Sequence, residues 1–147
     1  MCRRNRSQHG SLSIYLAMLR EAPMGASMCI LRDEFIWQPE WSFIFGDEWR
    51  ARVRRFKAEK RVSTRLLINP SPQERKQAAW YRARPQLERR YLKRPVTAFG
   101  LYLVGDTAAV LSIEHHNLLG VRIADRHLTA NFRLLFEGLW DGARPVR

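Results

Sequence analysis

The sequence predicts an α/β domain in which a mixed sheet is flanked by helices, with a three-stranded antiparallel portion late in the chain. Three observations predict it. Segments with one apolar stripe at helical spacing alternate with apolar runs of strand length, the pattern of a layered α/β domain. Two of the helix-like segments carry capping residues at the expected offsets. The last three apolar runs are separated only by Gly105-Asp106 and by His115-His116-Asn117, connections short enough to demand antiparallel neighbours.

The elements follow in order. In "SLSIYLAMLRE", Leu12, Tyr15, Leu16 and Leu19 make a short amphipathic helix that "APMGA" stops. The first half of "SMCILRDEFIW" has strand character, and "QPEW" interrupts it, because Pro39 biases Gln38 away from helix. A second helix follows in which Trp49, Val53 and Phe56 share a face and Arg50, Arg52, Arg54, Arg55 and Lys57 cover the rest. Like charges at Arg50 and Arg54 weaken it slightly, so its apolar face must hold it. The run "RVSTRLLINP" reads as a buried strand ending at Asn69-Pro70. Ser71, Pro72 and Glu74 then start a third helix as a capping box with proline in the first position, and Pro85 should end or kink it. Strands "TAFGLYLVG", "TAAVLSIEH" and "LLGVRIA" come next. Asp125 offers an N-cap to "RHLTANFRLLFEGLW", and Gly142 fits the position just past that helix. Leu128, Phe132, Leu135, Phe136 and Leu139 form its stripe, with Phe132, Leu135 and Phe136 expected on the sheet.

The 147 residues suit one domain, and a hydrophobic share of 46% supplies a core. Residues 1–10 are expected as a loose, disordered basic tail, residues 11–143 as the single domain, and 144–147 as a short tail. Charge is the outlier: 26 Lys and Arg against 14 Asp and Glu give +12. Such an excess draws polyanions, first nucleic acid and next an anionic small ligand or acidic partner. Cys2 and Cys29 have no CxxC or metal spacing, which points to a reduced, cytoplasmic setting. No apolar run approaches the ~20 residues of a membrane span, so no membrane partner is expected.

Glu114, His115 and His116 are the most suggestive cluster, as a metal or acid/base site. Adjacent strand residues point to opposite faces, however, and zinc would want a third protein ligand. The nearest other histidine, His127, sits at a helix start. A polar strand-to-strand turn is the preferred reading, and no metal or cofactor is expected. A ligand is placed instead by the rule that open α/β sheets bind at the carboxyl ends of strands. There "LLINPSP" delivers Asn69, Ser71 and Gln73 to a helix start, with Arg65 on the strand and Arg90 closing the following helical segment as charge donors.

The order "LERRYLKRPVTAFGLYLVGDTAAVLSIEHHNLLGVRIADRHLTANFRLLFEGLWDGA" resembles the C-terminal half of TrmB-type transcriptional regulators. Gly105-Asp106, "AAVLSI", "LLGVRIAD" and "FRLLFEGLW" stand where that family has its turn, two strands and last helix, and "RLLINPSPQ" and "HGSLSIYLAML" match upstream. The resemblance spans about Gly10 to Ala143. It implies a phospholipase-D-like, non-catalytic effector domain. Phospholipase D chemistry needs a His with a Lys two residues on; Asn117, Leu118 and Thr129 occupy those positions after His115, His116 and His127. The resemblance also implies an N-terminal winged helix and a coiled coil, neither legible here, so a free-standing effector domain or one part of a split regulator is expected. Arg90 matches one of the family's arginines around the second helix end, but Leu87 replaces another and Lys93 stands where proline is common.

The functional expectation is therefore a regulatory effector-binding and dimerisation domain. Its partners would be a sugar or anionic effector, and a second copy or a separate helix-turn-helix subunit. The alternative is a stand-alone basic module that uses Arg50, Arg52, Arg54, Arg55 and Lys57, with Trp41, Phe43, Phe45 and Trp49 beside them, on nucleic acid. With no recognition helix legible, DNA binding is expected to be weak and non-specific.

Overall fold

The computed structural model describes residues 2–5, 8–114 and 117–146, with side chains from Ile14 onward. Its strands are β1 (Cys2–Asn5), β2 (Ser27–Arg32), β3 (Ser63–Ile68), β4 (Leu87–Tyr91), β5 (Phe99–Val104), β6 (Thr107–Glu114), β7 (Asn117–Ala124) and β8 (Arg144–Pro145). They form one eight-stranded sheet in the order β1-β7-β6-β5-β2-β3-β4-β8. The pairs β2/β3 and β3/β4 are parallel and the others antiparallel, so the sheet is mixed. The helices are α1 (Gln8–Glu21), α2 (Ser42–Phe45), α3 (Asp47–Glu59), α4 (Pro72–Arg75), α5 (Ala78–Arg82) and α6 (Arg126–Gly142).

Alternation along each strand sends side chains to two separate cores. Met28, Ile30, Leu66, Ile68, Tyr102 and Val104 face the larger one, which α1 and the Trp41–Val53 stretch close. Cys29, Leu31, Leu67, Leu101 and Leu103 face the smaller one, closed by Phe136 and Trp140 of α6. Local signals behave as their chemistry requires. Gly105 takes φ 57° at the first centre of the two-residue β5–β6 loop, where a Cβ would be strained. Asp125 Oδ1 accepts from the Leu128 N–H at 2.7 Å, and Ser71 Oγ from the Glu74 N–H at 3.2 Å, so both expected caps form.

Four expectations need correction. Cys2–Asn5 is not a tail but an edge strand antiparallel to β7, and α1 begins at Gln8. Residues 144–145 are likewise paired, with β4. The segment "LERRY", read as the second half of a helix, is strand β4: Pro85 ends the helical stretch, and β3 then supplies a parallel hydrogen-bonding edge. Arg90 therefore lies on a strand. On α6 the buried residues are Thr129, Phe136 and Trp140, while Leu128, Leu135 and Leu139 are exposed, Leu135 at 67%. The helix is rotated so that its smaller Thr129 meets the β5–β6 turn, where Thr129 Oγ1 donates to the Asp106 carbonyl.

Candidate functional site

The basic face of α3 is one wall of a cavity of about 580 Å³ between that helix, the Trp80–Leu87 segment and the central strands. Arg50, Arg54 and Lys57 recur every three or four residues, so one face of the helix presents them together, and Arg61, just past the helix end, joins them at the cavity. Arg52 and Arg55, on other faces, are exposed and do not line it. Below them β2 and β3 contribute Ile30, Arg32, Thr64 and Leu66, with Tyr15, Trp49, Val53 and Tyr102 around. Across the opening stand Trp80, Arg84 and Leu87. Six lining residues are cationic and none is Asp or Glu.

The cations are unequal. Arg32 is fully engaged in the floor: Nη1 donates to Glu74 Oε1 at 2.5 Å and Nη2 to the Tyr81 hydroxyl at 2.8 Å, and that hydroxyl donates to Glu74 Oε2 at 2.6 Å. Burial opposes its charge, yet Tyr81 and Glu74 hold Arg32 protonated above the ordinary arginine value. Arg50 donates to the Ile36 carbonyl at 3.2 Å and lies 4.6 Å over the Trp37 ring, but its buried Nε has no partner among the described residues. The indole N–H of Trp49 is in the same position. Arg84 lies 3.4 Å over Trp80 and donates to that residue's carbonyl at 2.6 Å; burial and repulsion from Arg54 and Arg50 lower its pKa. Lys57 Nζ donates to Thr64 Oγ1 at 3.0 Å. Burial, with Arg32 and Arg84 nearby, pushes the Lys57 amine down to about 7. Among the described residues Arg54, Lys57, Arg61 and Arg84 make no salt bridge. Arg61 also holds φ 52°, a left-handed conformation worth about 1–2 kcal/mol of strain in a residue with a Cβ. The arrangement is a partly desolvated cluster of like charges in which Arg32 is paired with Glu74 and Arg50 with Asp47.

The strand-end residues singled out from the sequence do not converge. Asn69 is a clamp: its amide nitrogen donates to Glu34 Oε2 at 2.9 Å and to the Val96 carbonyl at 2.8 Å, and its oxygen accepts from the Val96 N–H at 2.9 Å. Ser71 caps α4, and Gln73 is exposed. Arg65 and Arg90 do meet, on the other face of the sheet, 5.4 and 4.5 Å from the Trp140 ring centre. Arg65 pairs with Glu137, which holds the Glu137 carboxyl below its usual range, and Arg90 donates to the Trp140 carbonyl at 2.9 Å. Both fasten α6 to the sheet. Of the aromatic residues beside the basic helix, Trp41 and Phe45 are buried and Phe43 is exposed at 68%. The Glu114–His115–His116 cluster has its two histidines outside the described residues; Glu114 pairs with Asn117 across antiparallel strands. Sequence reading missed Arg32, Glu74 and Arg84. The one available signal was Arg32-Asp33 closing an otherwise apolar strand.

No family model matches the chain, and no curated protein does. Solved structures do. It superposes on NucT from Helicobacter pylori with a TM-score of 0.72 at 10% identity, over 99% of this chain and 100% of that one. Nuc from Salmonella typhimurium, a phospholipase D family member, gives 0.70 at 16% identity, over 100% and 98%. The fold is phospholipase-D-like. TrmBL2, an archaeal chromatin protein that shows a novel mode of DNA binding, gives 0.67 at 17% identity over 99% of this chain. This chain spans about half of TrmBL2, 54% of its length. Among the described residues no helix is long and apolar enough to cross a membrane.

Proposed function

We propose that this chain is the regulatory, effector-binding domain of a TrmB-like transcription regulator, non-catalytic, taking an anionic effector in the basic cavity. The observation that carries the reading is a cavity of about 580 Å³ lined by six cationic residues and no carboxylate. That volume falls in the range of small-molecule sites. The fold shared with TrmBL2 supports the regulator half of the reading. Association with a second copy or a separate DNA-binding subunit belongs to the same reading, and the exposed Leu134, Leu135 and Leu139 of α6 favour it.

Thermal shift against sugars, inorganic phosphate, sugar phosphates, nucleotides and carboxylates tests it. Anions should stabilise the chain and neutral sugars should not, by about 2.7 kcal/mol at a hundredfold excess over Kd. Ala58→Trp and Ala83→Trp, exposed positions that line the cavity, should fold and lose the shift. No stabilising compound, or a shift untouched by both variants, would overturn the assignment.

A second reading, nucleic-acid binding, draws on the exposed Arg52, Arg54 and Arg55. The buried side of α3 packs Val53 against the core and leaves these arginines outward, where phosphate attraction is the contact that charge alone provides. Duplex binding should be weak and lose about 40-fold in affinity between 50 and 200 mM salt if about three phosphates are neutralised. Scrambled DNA should compete equally in a fluorescence titration; sequence-selective binding at physiological salt would refute this.

A further inference from the structure

We infer that the ligand of the basic cavity is an amphiphile, a single carboxylate head beside Lys57 and Arg84 on an apolar body lying along Trp49, Val53 and Leu66. The inference rests on the effector-binding reading and narrows it to one chemical class. Charge defines the head. Lys57 is a half-buried amine whose hydrogen bond goes to the neutral Thr64 hydroxyl, and among the described residues neither it nor the nearby Arg84 pairs with a carboxylate. A desolvated cation without a counter-ion is unfavourable, and a bound carboxylate removes that penalty at two groups together. The exposed Arg54 and Arg61, which also line the cavity, add attraction for an incoming anion.

The walls define the body. Ile30, Ile36, Val53 and Leu66 offer no hydrogen-bonding group, Thr64 is already engaged, and the Trp49 N–H and Arg50 Nε are donors without a partner among the described residues. A sugar placed along the Ile30, Ile36, Val53 and Leu66 wall would set most of its hydroxyls against carbon, more than these few donors could satisfy. Inorganic phosphate would fill a small part of about 580 Å³ and leave the apolar wall wet. A straight or aromatic carboxylate of about ten carbons satisfies both demands, since each buried CH₂ contributes favourably.

Proton uptake follows from the placement. The charged and titratable groups that line the cavity with Lys57 are Arg32 from β2, Arg84 after α5, Arg50, Arg54 and Arg61 of the basic wall, and Tyr15 and Tyr102. Of these, Lys57 alone is brought near neutrality. A carboxylate beside it favours the protonated amine, so binding at pH 7.5 should draw a fraction of a proton from the buffer.

Isothermal titration of the full chain with decanoate, decanol, inorganic phosphate and glucose, in two buffers of different ionisation enthalpy at pH 7.5, tests this. Decanoate should bind one to one with proton uptake, and at least about tenfold tighter than decanol, a gap of about 1.4 kcal/mol. Lys57→Met should remove the uptake and weaken decanoate at least tenfold; Lys57→Arg should keep the affinity without the uptake. Ala83→Trp, at an exposed lining position, should abolish binding. Decanol binding as tightly as decanoate, or decanoate binding untouched by Ala83→Trp, overturns the inference. Binding of phosphate but not decanoate, lost in Ala83→Trp, overturns the amphiphile and leaves the effector reading standing. Binding of no probe in the screen or the titration overturns both.

Discussion

Glu74→Ala should lower the unfolding free energy by about 3–5 kcal/mol, the loss expected when one partner of a buried ion pair is removed. Glu74 has a local role, since its backbone N–H is capped by Ser71, and alanine keeps that bond. Its carboxylate has a distant one. The side chains of Arg32 and Glu74 are 4% and 0% exposed, and the pair joins β2 to α4 across 42 residues of chain. Without Glu74 the Arg32 guanidinium stays buried with only the Asp33 carbonyl and the Tyr81 hydroxyl. Tyr81 loses its acceptor as well. Urea unfolding monitored by tryptophan fluorescence gives the number. The double variant Arg32→Met/Glu74→Leu should recover most of the loss, because matched apolar groups replace a buried pair at little net cost. A loss below about 1 kcal/mol for Glu74→Ala would mean that water reaches Arg32.

Phe136→Ala should lower stability by a similar amount, about 3–5 kcal/mol. Phe136 is 1% exposed and stacks on Trp140 with ring centres 5.9 Å apart. Among the described residues α6 is the helix that covers the smaller core, with Leu92 and Val96 beside it, so little can move in to fill the space. The neighbouring Leu135→Ala makes the contrast: at 67% exposure it should change stability by no more than about 0.5 kcal/mol. Equal losses at the two positions would mean that the helix is rotated from the orientation described.

Local chemistry was legible wherever one residue and its near neighbours decide the outcome. Ser71 and Asp125 cap as their side-chain oxygens allow, and the Gly105-Asp106 turn joins antiparallel strands. The three late strands follow from connections too short for any crossover. The basic face of α3 was legible too, as a helix with one apolar side. The strand β4 was not. "LERRY" has no strand alternation, and it extends only because β3 and β8 offer hydrogen-bonding edges from elsewhere in the chain. Leu135 and Phe136 are adjacent and equally apolar in the sequence, and which of them is buried depends on how α6 turns to seat Thr129 against Asp106.

By itself the sequence determined the mixed α/β class, the caps, the hairpins, the positive charge and the absence of a His-x-Lys pair, because each is written within a few residues. Only the tertiary structure decided what the charged residues do. Arg65, Asn69 and Arg90 face partners 27 to 72 residues away and become fasteners. Lys57 and Arg84 come to share one desolvated cavity, 27 positions apart by their numbers. Whether an arginine is a surface charge, half of a buried pair or the wall of a site depends on which groups the sheet order brings beside it, and strand order is a property of the whole chain.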